Sequence, residues 1–258
     1  MAALASTLAG HLSEHEVRFL GLCAMTLPPE LGEVLEIGCF KGKSTTLLAK
    51  SVALAGGHRV VAVDPLNFPS VTDPEHSQPE NLPAEFRATL EANGIQDRVE
   101  FHQMTSQALA PNWDRPLRLL WIDGDHTYAG AMSDVELFAK HLATGAIIAI
   151  HDVLHGCDGP IRAFCERVLL SDEFGPCGVC GSIGWAQRVD PKTARKFATQ
   201  KLRLYTRLSR LIPFVALHRT PGEVGPRTYK LFKALVPHGG VDPVAWQNEI
   251  RQHLEHGN

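Results

Sequence analysis

The stretch EIGCFKGKSTT, residues 36–46, decides how the rest of the chain is read. It follows an apolar run, EVLEIG (33–38), and leads into a helical one from Lys43. An apolar strand that ends in a glycine turn and opens a helix is the first step of an α/β sheet. Working outward, four more β-type runs appear: RVVAVD (59–64), RVEFHQ (98–103), LRLLWID (117–123) and AIIAIHD (146–152). Helical spacing falls at 43–55, 83–93, 128–142 and 159–170. Near-continuous apolar strands alternating with helices predict a Rossmann-like, doubly wound sheet covered on both faces. GVCGSIGWAQRV (178–189) is a strand pair with no helix between its halves, so a late antiparallel strand is expected at the sheet edge. An N-terminal helix is expected over 11–26. Residues 65–82 carry four prolines and predict a lid or a disordered loop.

The bulk composition narrows the class. With 258 residues, 44% hydrophobic and 21% charged, the chain is long enough for one full core and an appendage. No apolar run has the length of a membrane span. The N-terminus lacks the basic region of a signal peptide. Six scattered cysteines fit the reduced thiols of a cytoplasmic protein better than a disulfide framework. Cys177 and Cys180 form a single CxxC whose spacing to Cys157 and Cys165 is irregular. Buried thiols are therefore expected there rather than structural zinc.

Charge divides the chain. Residues 1–190 hold 13 basic and 24 acidic side chains, and residues 191–258 hold 12 and 4. The expectation is a ligand-binding α/β domain over 1–190 and a basic, helical C-terminal extension over 191–258. In the extension Phe197, Leu204, Leu208, Leu211 and Val215 follow a helical period, with Lys201, Arg203, Arg207 and Arg210 between them. Pro213 is expected to kink or end that helix, and a last helical piece falls near 243–255. The stripe has three readings. It packs on the body or on a second copy in a homo-oligomer; it gathers an anionic, nucleotide-linked small molecule; or it lies on an anionic membrane. The first is preferred. With few aromatics and an acidic body, nucleic acid is not expected as a partner.

Three ligands compete for the opening turn, which stands at a strand end beside the switch point of such a sheet. Gly42-Lys43-Ser44 resembles the end of a phosphate loop, and LLWID resembles a magnesium-binding strand. Yet Gly38 and Gly42 enclose one residue too few, and Glu36 would repel a polyphosphate. The dinucleotide fingerprint G-x-G-x-x-G is absent. S-adenosylmethionine fits better: its ammonium suits Glu36, glycines let backbone approach it, and Asp64 ends the second strand where a ribose diol would lie.

Here the chain resembles the class I S-adenosylmethionine-dependent methyltransferases, in particular the small-molecule and sugar O-methyltransferase group. The residues that carry the resemblance are E-I-G-C-F-K-G-K-S (36–44) and I-D-G-D-H-T-Y (122–128). It spans about residues 30–190. It implies a cofactor set of Glu36, Gly38, Phe40, Gly42, Ser44, Asp64, Ser106 and Asp123, with Glu36 and the glycines at the methionine end and Ser106 near the adenine.

The second motif places two carboxylates, an imidazole and a phenol within six residues. If its strand neighbours the next, Asp123, Asp125, His126, His151 and Asp152 converge on one rim, with His155 and Tyr128 at its border. Methyl transfer to an alcohol needs alignment and a base. The resemblance implies a divalent metal, magnesium or another, on Asp123 and Asp152, with Asp125 as base. His151 stands where the group has a carboxylate, which makes another metal or none an open alternative and offers His126 or His151 as the base. A phosphate-loop enzyme and a non-catalytic cofactor-binding protein are the competing functions.

Overall fold

The computed structural model describes residues 10–67, 81–217 and 227–254. The strands are β1 (Glu33–Ile37), β2 (Val60–Val63), β3 (Val99–His102), β4 (Leu117–Ile122), β5 (Leu142–Ile150), β6 (Phe174–Cys180) and β7 (Ile183–Arg188). The helices are α1 (Glu14–Thr26), α2 (Lys43–Leu54), α3 (Leu82–Ala92), α4 (Ser106–Leu109), α5 (Tyr128–Phe138), α6 (Asp158–Ala163), α7 (Pro191–Lys196), α8 (Ala198–Ser209), α9 (Ile212–Leu217), α10 (Arg227–Ala234) and α11 (Pro243–Arg251). The α6 helix runs on as a π-type segment, Phe164–Leu169. Most of the expected loop at 65–82 lies outside the described residues. Among the described residues, no helix is long and apolar enough to cross a membrane.

All seven strands form one sheet in the order β3-β2-β1-β4-β5-β7-β6. The first five run parallel and β7 is antiparallel to both its neighbours. The antiparallel strand is therefore not at the edge. The β6–β7 turn is too short for a crossover, so β7 must reverse, and it enters the slot beside β5 while β6 takes the border.

Strand residues alternate between two cores. Leu35, Ile37, Val61, Val63, Leu120, Ile122, Ile148 and Ile150 face one layer with Val135, Phe138 and Phe164. Val34, Val60, Ala62, Leu119, Trp121, Ile147 and Ala149 face the other, with Phe19, Leu20, Leu48 and Phe86. Burial on both faces is why these strands read as unbroken apolar runs.

The basic segment contributes to both layers. Leu204, Leu208, Leu211 and Val215 join the first; Trp246 and Ile250 join the second. Trp246 stacks edge-on against Phe19 at 5.3 Å and Trp185 at 5.5 Å. Gln187 Nε2 donates to the carbonyl of Ile250 at 3.0 Å, which ties α11 to β7. The helical stripe is interrupted earlier than Pro213 suggests. It stops at Ser209, and Pro213 instead sits in the first turn of α9, where its missing N–H costs nothing.

Candidate functional site

Backbone hydrogen bonds continue past the strands and align their carboxyl ends. The amide of Gly38 donates to Val63, that of Asp123 to Ile37, that of His151 to Ile122 and that of Asp64 to His102, at 2.8–3.2 Å. The ends of β1, β2, β4 and β5 thus form a single row, with Gly38, Asp64, Asp123 and His151 in it.

The turn after β1 is tight. Gly38 has φ +85 and Gly42 φ +87, a region that favours glycine. At Gly38 a β-carbon would lie 2.1 Å from the carbonyl oxygen of Asp123, so packing against the β4 end also demands glycine. Phe40 holds φ +45 without that freedom. Asp64 explains how: its Oδ2 accepts from the amides of Cys39 (2.8 Å) and Phe40 (3.0 Å), and its Oδ1 from Leu66. The expected ribose ligand is thus engaged in shaping the turn.

Glu36 lies beneath this turn, fully buried. Neither of its carboxylate oxygens has a hydrogen-bond partner, and the hydroxyl of Thr45 above it has none either. Burial pushes the Glu36 carboxyl up to about 8, against the neighbouring hydroxyls of Ser44 and Thr45. An unpaired buried carboxyl is costly without a partner. Ser44 is buried in the first turn of α2, whose N-cap, Gly42, offers no side chain.

The rim at β4 and β5 is built of two carboxylates and two imidazoles. Nδ1 of His151 lies 2.9 Å from Asp123 Oδ1 and 3.3 Å from Asp152 Oδ1. Nε2 of His126 lies 3.4 Å from Asp152 Oδ2 and 3.8 Å from Asp123 Oδ1. Burial draws both imidazoles down, but the carboxylates outweigh it and hold both well above their usual value. The reciprocal effect holds the Asp123 carboxyl below its usual range despite its burial. Asp152 adopts φ +59, a left-handed backbone that is uncommon outside glycine and that Asp tolerates better than most residues. One donor atom from each of Asp123, His126 and Asp152 lies within 4.8 Å of the others, close enough to share a cation. The mixed oxygen–nitrogen set fits a divalent transition metal better than magnesium.

Asp125 does not join this group. Its Oδ1 accepts from the amide of Thr127 and its Oδ2 from the Thr127 hydroxyl, both at 2.9 Å. Thr127 in turn caps α5, so Asp125 braces a helix start and faces solvent. Tyr128 donates to Glu166 under the guanidinium of Arg162, 3.5 Å from its ring. His155 is exposed, 3.6 Å from Asp152. The cysteines are free, and Cys165, Cys177 and Cys180 are buried thiols.

A family model described as a methyltransferase domain matches residues 35–153, from β1 to the turn after β5. Residues 35–153 are a methyltransferase domain. Solved structures share its fold. Cofactor-bound Rv0187 from MTB is 21% identical, TM-score 0.53, covering 73% of this chain and 87% of that one. The calicheamicin methyltransferase CalS11 is 19% identical, TM-score 0.51, covering 66% and 76%. The O-methyltransferase TomG from Streptomyces achromogenes is 19% identical, TM-score 0.52, covering 73% and 87%.

The match to a methyltransferase domain does not support the phosphate-loop alternative. Lys43, which such a loop would send to phosphates, donates instead to the carbonyls of Gly10 (2.9 Å) and Leu12 (3.3 Å). Two residues escaped the sequence reading. Asp134, inside the methyltransferase domain, accepts from the buried hydroxyl of Ser106; burial pushes its carboxyl up to about 7. An acidic residue on the inner face of α5 was the available signal. Glu16 lies before the methyltransferase domain, 3.7 Å from His151; nothing in its local sequence points there.

Proposed function

We propose that the chain transfers the methyl group of S-adenosylmethionine to a hydroxyl of a polar small molecule. The observation that carries this is Glu36: a fully buried carboxyl with both oxygens unpaired, under a glycine turn at the end of β1. It calls for a cation, and the α-ammonium of S-adenosylmethionine supplies one. Phe40, Gly42 and Ser44 would border the methionine end. The ribose would take the place of turn amides on Asp64 or bond beside them, and Ser106 would face the adenine. Its hydroxyl hydrogen is committed to Asp134, which leaves lone pairs to accept from the exocyclic amine.

The rim supplies the other half of the reaction. The acceptor oxygen attacks the methyl carbon as the carbon–sulfur bond breaks, and the sulfonium becomes a neutral thioether. The hydroxyl proton passes to the Asp152 carboxylate, whose Oδ2 faces His126 at 3.4 Å. Positioning carries much of the rate, because the thioether is already a good leaving group. Asp123, His126 and Asp152 would hold a divalent cation, which supplies acidity to a bound hydroxyl. His151 and Asp125 act from behind and beside this set.

CalS11 is described as a TDP-rhamnose 3'-O-methyltransferase. A nucleotide-linked sugar is the acceptor class we carry forward. The test is a thermal shift with S-adenosylhomocysteine, ATP and NAD. S-adenosylhomocysteine at about a hundredfold excess over Kd is expected to stabilise the protein by roughly 2–3 kcal/mol. ATP and NAD are expected to do nothing. Protection by ATP instead would sink the proposal. Methyl-labelled cofactor with a panel of free and nucleotide-linked sugars then identifies the acceptor.

A further inference from the structure

The first turn of α1 brings a carboxylate to the rim from outside the methyltransferase domain. Glu16 is 4% exposed. Its Oε2 accepts from the amide and the hydroxyl of Ser13, both at 2.7 Å, and closes a capping box. A capping box needs only that oxygen. The other, Oε1, accepts from the amide and the hydroxyl of Ser182 in the β6–β7 turn, both at 2.6 Å. Four donors from two distant segments therefore fix the orientation of this carboxylate.

Oε1 then stands 3.7 Å from Nε2 of His151. That nitrogen is buried with no hydrogen-bond partner. On the opposite side of the ring, Nδ1 faces Asp123 Oδ1 at 2.9 Å. The imidazole is held between a carboxylate of α1 and one at the end of β4. The same N-terminal segment also rests on the opening turn. Lys43 binds the carbonyls of Gly10 and Leu12, and the ring of His11 lies 6.4 Å from that of Phe40.

We propose that Glu16 is a positioning residue for methyl transfer. It aims His151, and through it Asp123, at the rim, while residues 10–16 hold the rim in register with the cofactor turn. The proposal rests on the reading of the rim given above. Groups that must meet a reacting centre within a fraction of an ångström need a supporting shell of this kind.

The test uses the full chain labelled with nitrogen-15 histidine, with His151 signals assigned from their loss in His151→Asn. Glu16→Gln keeps a side chain that can cap α1 but removes the charge facing Nε2. It is expected to shift both His151 ring signals and raise their exchange with water about tenfold. Affinity for S-adenosylhomocysteine should stay within about threefold of the wild type. Ser13→Ala removes a capping hydroxyl from Oε2, not from the oxygen facing Nε2, and should lower the melting temperature while moving the His151 signals less than Glu16→Gln does. Should Glu16→Gln fail to fold, Ser182→Ala, which removes one of the two Ser182 donors to Oε1 and leaves the amide, is expected to shift the same signals. Unchanged His151 signals in Glu16→Gln, or equal shifts in Ser13→Ala, would overturn the proposal. Failure of the wild type to bind S-adenosylhomocysteine would overturn the methyl-transfer reading instead, with the His151 signals still reporting on Glu16.

Discussion

Glu36→Gln removes the titratable proton from the most deeply buried acid of the site and keeps its shape. The Glu36 carboxyl sits at about 8 against an ordinary 4.5, with burial as the first cause. Its folded value lies above its unfolded one, so the folded protein holds the extra proton between those limits. The ligand-free wild type therefore loses stability as pH rises through that window, and the loss is complete above its upper end. At 1.36 kcal/mol per unit, the ceiling is ~5 kcal/mol, and at pH 7 about 3 kcal/mol has already gone. Glutamine carries no such proton. Urea unfolding is the assay. At pH 5 the two proteins should differ by less than about 1 kcal/mol, and at pH 9 the variant should be the more stable by ~4–5 kcal/mol. Ligand binding should narrow that gap. A bound ammonium ionises Glu36, so the wild type releases close to one proton at pH 7, read by calorimetry in buffers of different ionisation enthalpy. The variant should release none and lose roughly 30- to 150-fold in affinity for S-adenosylhomocysteine, or about 2–3 kcal/mol. Parallel stability curves for the two proteins, or equal affinity for the ligand, would refute the reasoning.

Gly38→Ala is expected to cost more than about 3 kcal/mol, because its β-carbon meets the Asp123 carbonyl at 2.1 Å and the backbone is left-handed there; urea midpoints check it, and a near-neutral result would mean the turn is not built this way. Leu208→Ala, at a fully buried position of α8, should lower stability by about 2–5 kcal/mol in one cooperative transition; calorimetry showing a separate, early transition would mean that α8 does not share the main core. Manganese added to chelator-treated protein is expected to raise the melting temperature, and Asp123→Asn or Asp152→Asn to abolish the response. An identical response in both variants would remove the cation site at Asp123, His126 and Asp152.

The sequence by itself determined the layer pattern. Burial repeats every second residue in a strand and every third or fourth in a helix, so apolar runs and stripes are written locally. The glycine turn after Glu36, the acids and imidazoles at the strand ends, and an antiparallel strand after the last crossover were legible for that reason. The tertiary structure decided what depends on separation in the chain. It put β7 inside the sheet, since slot order follows from edge packing and not from local pattern. It turned Asp125 toward Thr127 and away from the rim, because a side chain beside a helix start is claimed by the nearest unpaired amide. It brought Glu16 to Ser182, 166 residues further along the chain. No periodicity records such a meeting, because electrostatic partners are set by where whole elements dock.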